Sequence, residues 1–123
     1  MLENIKKATK YIQERYPQQL DAAVVLGSGL AGFAKKMSLE VVIPYTDIPC
    51  FPTSTVKGHS GCLHLGKYKN IHTAILEGRF HHYEGYDLAQ VTFPIRVLKM
   101  LGIHTLLLSN AEALIQTFQL VTS

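Results

Sequence analysis

Apolar side chains recur at Leu2, Ile5, Ala8, Ile12 and Tyr16, in steps of three and four that line one face of a helix. Pro17 ends that helix, because proline lacks the amide proton and its ring clashes with the preceding turn. Ala22 to Leu26 is then an unbroken apolar run, the pattern of a strand buried on both faces. It enters Gly27-Ser28-Gly29, which reads as a tight loop, and Leu30 to Lys36 can begin a helix directly afterwards. Leu39 to Ile43 reads as a second strand ended by Pro44, and the Pro-, Gly- and Ser/Thr-rich stretch 45–60 reads as loop. Gly61 to Leu65 and His72 to Leu76 are predicted strands, with Gly66 to Asn70 as the turn between them. Residues 78–85 are polar and aromatic, again a loop. Val91, Ile95, Leu98 and Leu101 fall at helical spacing, Pro94 belongs in the first turns or kinks the helix, and Gly102 is placed to cap it. Thr105 to Ser109 is another buried-type strand. Alternating helices and apolar strands predict an α/β sandwich with a mostly parallel sheet.

Composition narrows the class. At 123 residues the chain has room for one compact domain, and 47% apolar against 17% charged residues suits a buried core and not a disordered chain. Twelve basic against nine acidic residues give a net charge of +3, too thinly spread to signal nucleic acid or a membrane surface. No run approaches the length of a spanning helix, and the first residues lack the apolar core of a signal peptide. Cys50 and Cys62 form neither a disulfide framework nor a zinc spacing; they fit a reducing, cytoplasmic setting, and with no acid–base partner nearby in sequence they read as inert.

In open α/β sheets the ligand crevice lies beyond the carboxyl ends of the strands, and three such ends carry polar chemistry. After the first strand, the glycines of Gly27-Ser28-Gly29 let backbone N–H groups approach an anion, and the Ser28 hydroxyl can add a donor; such turns are also common with no ligand. After the His72–Leu76 strand comes Glu77-Gly78-Arg79-Phe80-His81-His82-Tyr83-Glu84. On an extended segment Arg79 and His81 face the same side, and a guanidinium fork beside an imidazole suits a phosphate. The plainer alternative is a solvated basic loop with Arg79 paired to Glu77 or Glu84. A metal site is disfavoured, since His81 and His82 point apart and no carboxylate stands at ligand spacing. After Ser109, the Asn110-Ala111 backbone could again meet a ligand. His59 in the loop Lys57-Gly58-His59-Ser60-Gly61 is a further phosphate donor or a merely solvated histidine.

Taken in order, VVLGSGL (24–30), IPYTDIP (43–49), FPTSTVKGHSG (51–61), LEGRFHHYEGYDL (76–88), VTFPIRVLKMLGI (91–103) and LLLSNA (106–111) resemble the N-terminal part of the trimeric purine nucleoside phosphorylases. The resemblance covers nearly all of residues 3–111, and several spaced motifs in the right order make it specific. It implies a three-layer α/β/α sandwich of the nucleoside-phosphorylase type, present as its N-terminal half. The implied activity is phosphorolysis of purine (deoxy)ribonucleosides to free base and (deoxy)ribose 1-phosphate. Inorganic phosphate is then a co-substrate, no metal or organic cofactor is called for, and the intact family is homotrimeric. By the same resemblance Ser28, His59, Arg79, His81 and the Ala111 N–H would hold phosphate, Tyr83 would pack at the sugar, and His81 would be the catalytic candidate. Asn110 and Ala111 would open the family's Asn-Ala-Ala-Gly-Gly segment. Purine-binding residues are expected in the absent half. Ala31 stands where a glycine is usual, and Cys50 and Cys62 where other, mostly polar residues are. A methylthioadenosine phosphorylase is an alternative within the superfamily, less suited to the segment 78–85; a non-catalytic phosphate- or subunit-binding fragment is an alternative outside it.

After residue 111 the resemblance stops. Codons permitted for residues 114–123, read one base earlier, can spell Ile-Asn-Pro-Asn-Phe-Pro-Ile-Gly-Asp-Leu, which is the family's expected continuation. The expectation is therefore a phosphorylase part at 1–111 and an aberrant, frameshifted tail at 112–123, in a truncated chain inactive alone. That tail would have no partner selected to receive it, and a sheet edge would be left exposed.

Overall fold

The computed structural model describes residues 2–26, 36–51, 61–77, 88–109 and 115–119. Two helices, α1 (Leu2–Arg15) and α2 (Leu88–Met100), accompany six strands: β1 (Ala22–Leu26), β2 (Ser38–Pro44), β3 (Cys62–Tyr68), β4 (Ile71–Glu77), β5 (Thr105–Ser109) and β6 (Ile115–Gln119). They form one sheet in the order β2-β3-β4-β1-β5-β6.

The sheet is mixed. Only its centre is parallel, β1 pairing with β4 and β5, while β2–β3, β3–β4 and β5–β6 are antiparallel. The predicted turn at Gly66–Asn70 shrinks to Lys69 and Asn70, whose φ angles of 50° and 67° are both left-handed, as a two-residue hairpin that follows the strand twist requires. Gly66 remains inside β3, opposite Leu39 and Thr73. A Cβ there would lie 2.2 Å from the Ser38 carbonyl oxygen, so the glycine is present for close approach of β2 and not for a turn.

α1 buries Ile5, Ala8 and Ile12 as its periodicity predicts, with Tyr16 just beyond its end; Leu2, in the first turn, is 56% exposed. Glu3 and Arg15 sit at the ends of α1 where they offset its dipole. α2 carries Pro94 in its interior and closes on Gly102, with φ of 91°. The Gly102 N–H donates to Lys99 O at 3.0 Å and the Ile103 N–H to Leu98 O at 3.1 Å, the paired bonds of a Schellman cap. Both helices pack on the same sheet face, where Ile12, Leu20, Leu63, Leu65, Leu76 and Val97 belong to one core. The other face carries a smaller cluster of Val24, Met37 and Ile75, with Tyr68 and Leu107 against it.

The tail departs from expectation. Residues 115–119 pair with β5, Thr105 opposite Gln119 and Ser109 opposite Ile115, so the outer edge of β5 is occupied. Ile115, Thr117 and Phe118 are β-branched or aromatic and suit a strand, and an antiparallel partner needs only a short connection. The predicted helix at 30–36 lies outside the described residues except for Lys36.

Candidate functional site

Ser28, His59, Arg79, His81, Tyr83, Asn110 and Ala111 all lie outside the described residues. The described strands do fix where the segments bearing them begin and end. In the parallel centre, Leu26 lies opposite both Glu77 and Ser109, so β1, β4 and β5 finish level with one another. Gly27-Ser28, Gly78-Arg79 and Asn110-Ala111 follow those three termini directly. β3 runs the other way, with Leu63 opposite Leu76, so its first residue, Cys62, sits at the same end of the sheet. The segment containing His59 enters there.

That last segment is firmly held at both ends. Before it, Phe51 is buried and packs on Tyr45 at 5.3 Å and edge-on to Phe93 of α2 at 6.0 Å between ring centroids. After it, the Gly61 carbonyl accepts from the Tyr45 N–H at 3.1 Å. A single-turn 3-10 helix, Tyr45–Asp47, links the two anchors. Sequence reading gave these aromatics no role; Tyr45 and Phe51 stand among polar loop residues with no helical or strand period to reveal their packing on Phe93 of α2.

Parallel strands whose carboxyl ends stop level leave a crevice bordered by several loops. Loops that bring a hydroxyl, a guanidinium and imidazoles to such a border can replace the hydration of an oxyanion with fixed donors. A cavity among the described residues lies elsewhere: about 570 Å³ at the amino ends of β1, β4 and β5, lined by Asp21, Ala22, Tyr68, Ile71, Thr73 and Thr105 among others.

The comparisons with known proteins bear on the same strands. The Phosphorylase superfamily pattern matches residues 21–111, from the residue before β1 to the second residue after β5. The chain belongs to the phosphorylase superfamily. This phosphorylase chain is 43% identical over 107 residues to purine nucleoside phosphorylase 1 of Geobacillus stearothermophilus, an alignment covering 87% of this chain and 39% of that one. It is 41% identical over 117 residues to purine nucleoside phosphorylase 1 of Bacillus subtilis, covering 95% and 43%. Its fold superposes with a TM-score of 0.81 on a solved purine nucleoside phosphorylase in complex with ribose 1-phosphate, at 43% identity over 89% of this chain and 40% of that one. The chain thus spans about two fifths of the length of these relatives.

At the opposite end of the phosphorylase sheet, on the helix face, three titratable groups meet. Tyr16 Oη donates to Glu40 Oε2 at 2.9 Å and lies 2.6 Å from His72 Nδ1. Tyr16 has one proton and gives it to the carboxylate, so His72 Nδ1–H is the donor in the shorter contact. Burial, then the Glu40 hydrogen bond and charge, push the Tyr16 hydroxyl up to about 12. Glu40 can reach α1 because β2 shifts register between Leu39 and Val41, leaving it out of the ladder. This cluster ties α1 to β2 and β4; it stands apart from the candidate anion site. No described helix is long and apolar enough to cross a membrane.

Proposed function

We propose that this chain carries the phosphate-binding part of a purine nucleoside phosphorylase. The observation that supports it most is the level ending of β1, β4 and β5, with the start of β3 beside them. Every segment bearing a candidate anion ligand leaves or enters at that one end. Two residues of chain span at most about 7 Å, and so short a tether from Leu26 and Glu77 supports a reading in which Ser28 and Arg79 serve a common anion. The similarity to a relative solved with ribose 1-phosphate supports the same chemistry.

In this reading Arg79 grips two phosphate oxygens, His81 and His59 donate to others, and Ser28 and the Ala111 N–H close the cradle. A phosphate oxygen forms the bond to the anomeric carbon as the glycosidic C–N bond breaks, and the purine leaves with that electron pair. Positive charge gathers on the sugar in between, so a dianion held beneath it, with Tyr83 against the ribose face, lowers the barrier by placement and electrostatics. Inorganic phosphate is the co-substrate, and no metal or organic cofactor has a step. Homotrimeric assembly and a cytoplasmic setting belong to the same proposal. Because the chain spans 39% of its Geobacillus relative, phosphate binding without turnover is expected of the chain alone.

The test is calorimetric titration with inorganic phosphate beside a coupled inosine assay. Saturable binding that Arg79→Ala abolishes supports the site; equal phosphate affinity in that variant sinks it. Steady inosine phosphorolysis by the chain alone would overturn its reading as an incomplete unit. Residues 112–123 are read as out of frame, and the coding DNA decides: without a family-like continuation in the alternate frame, that reading fails.

A further inference from the structure

Three buried aromatic side chains, none of them a candidate anion ligand, join the segments that carry those ligands. Pro44, the last residue of β2, lies opposite Cys62, so Tyr45 stands at the same end of the sheet as the carboxyl ends of β1, β4 and β5. Tyr45 meets both ends of the segment that contains His59. Its ring packs on Phe51 at 5.3 Å, and its N–H donates to the Gly61 carbonyl at 3.1 Å. Phe51 in turn stands edge-on to Phe93, at 6.0 Å and 79°. Phe93 belongs to the second turn of α2, which begins at Leu88, where the segment bearing Arg79, His81 and Tyr83 ends. The rings of Tyr45, Phe51 and Phe93 are 3%, 7% and 5% exposed and belong to the helix-face core.

Other members of that core, such as Ile12 and Leu65, lie within a helix or a strand and border no ligand-bearing segment. The aromatic cluster differs in what it connects: the start and end of one such segment and the end of another. Ligands on separate segments grip a common anion only when both segments are placed together. A broad ring with few rotatable bonds keeps such a placement at little entropic cost, which lowers the ordering cost of binding. We propose that Tyr45, Phe51 and Phe93 are positioning residues for phosphate, fixing the His59 segment relative to the Arg79 segment so that the two bind the anion as a unit. This role rests on the phosphate-binding reading and adds to it a footing outside the ligands themselves.

The experiment titrates the full chain with inorganic phosphate by calorimetry, comparing wild type with Phe51→Leu, Phe93→Leu, His59→Ala and the double variant Phe51→Leu/His59→Ala. Leucine stays apolar and loses the ring contacts; urea unfolding followed by circular dichroism establishes that each protein is folded at the titration temperature. Phe51→Leu and Phe93→Leu should each weaken phosphate binding about fivefold to tenfold, as loosened support of a site does. In the His59→Ala background Phe51→Leu should add less than about twofold, because the group it positions is gone. Ile12→Val, a core substitution on α1, should lower stability and leave phosphate affinity unchanged. Where one ring variant is unfolded, the other decides. Unchanged affinity in the ring variants, equal weakening by Ile12→Val, or a Phe51→Leu loss that persists in full without His59 would overturn the positioning role and leave the phosphate site standing. Absence of saturable binding by the wild type would remove the phosphate reading itself, and the positioning role with it.

Discussion

The two faces of the sheet differ in how completely they are closed. On the helix face, Ile12, Leu65 and Val97 are wholly buried, and Tyr16, Glu40 and His72 lock the end of α1 onto β2 and β4. On the other, Val24 and Ile75 are buried at the centre while Leu39, Val42 and Ile71 stay in contact with water at the margins. Burial there is complete at Val24 and Ile75 and is lost at β2 and at the first residue of β4. The stability of the isolated chain is therefore expected to reside mainly on the helix face.

Truncations on the helix face should have the largest effect. Ile12→Ala and Leu65→Ala each leave a cavity beneath the helices, and a loss of about 3 kcal/mol in urea unfolding is expected. A loss below about 1 kcal/mol would mean that this face is less tightly packed than the burial of those side chains indicates. Next comes Gly66→Ala. Its Cβ would meet backbone at 2.2 Å, so β2 must move away, at a cost of about 2 kcal/mol. An unchanged melting temperature would show that β2 contributes little to either face.

Tyr16→Phe should cost about 1 kcal/mol at neutral pH through the lost hydrogen bonds. Its pH dependence is the sharper measurement. A hydroxyl raised to about 12 in the fold, against 10.0 for an ordinary tyrosine, contributes stability that is complete below pH 10 and lost as pH rises through 12. Wild type should therefore lose its advantage over the variant across that interval, and parallel alkaline melting curves would contradict the cluster. The smallest effect is expected from Val42→Lys, within about 0.5 kcal/mol in the isolated chain; a large loss there would mean that the open face is already closed.

Sequence periodicity was legible where a segment's own pattern dictates its burial. The face of α1 appears at steps of three and four, and β1 and β5 have the predicted bounds because continuous apolar runs fit only doubly covered strands. The cap at Gly102 was equally readable, as only glycine takes its φ cheaply. Gly66 misled because a glycine needed for close approach looks, in sequence, like one needed for a turn. β6 was missed because its pairing depends on the free edge of β5, which no property of residues 115–119 reveals. The candidate ligands, named from their chemistry and motif order, lie outside the described residues, and only the level strand termini beside them came from the register.

By itself the sequence determined the types of both helices and of β1 to β5, the buried face of α1 and the family, since each is written in local spacing or in motif order. The tertiary structure alone decided that β1, β4 and β5 end level, that Tyr16, Glu40 and His72 share a proton network, and that the exposed apolar residues Leu39, Val42 and Ile71 of β2 and β4 fall on one face. Such facts depend on register between segments far apart in the chain, and register is set by the assembled sheet.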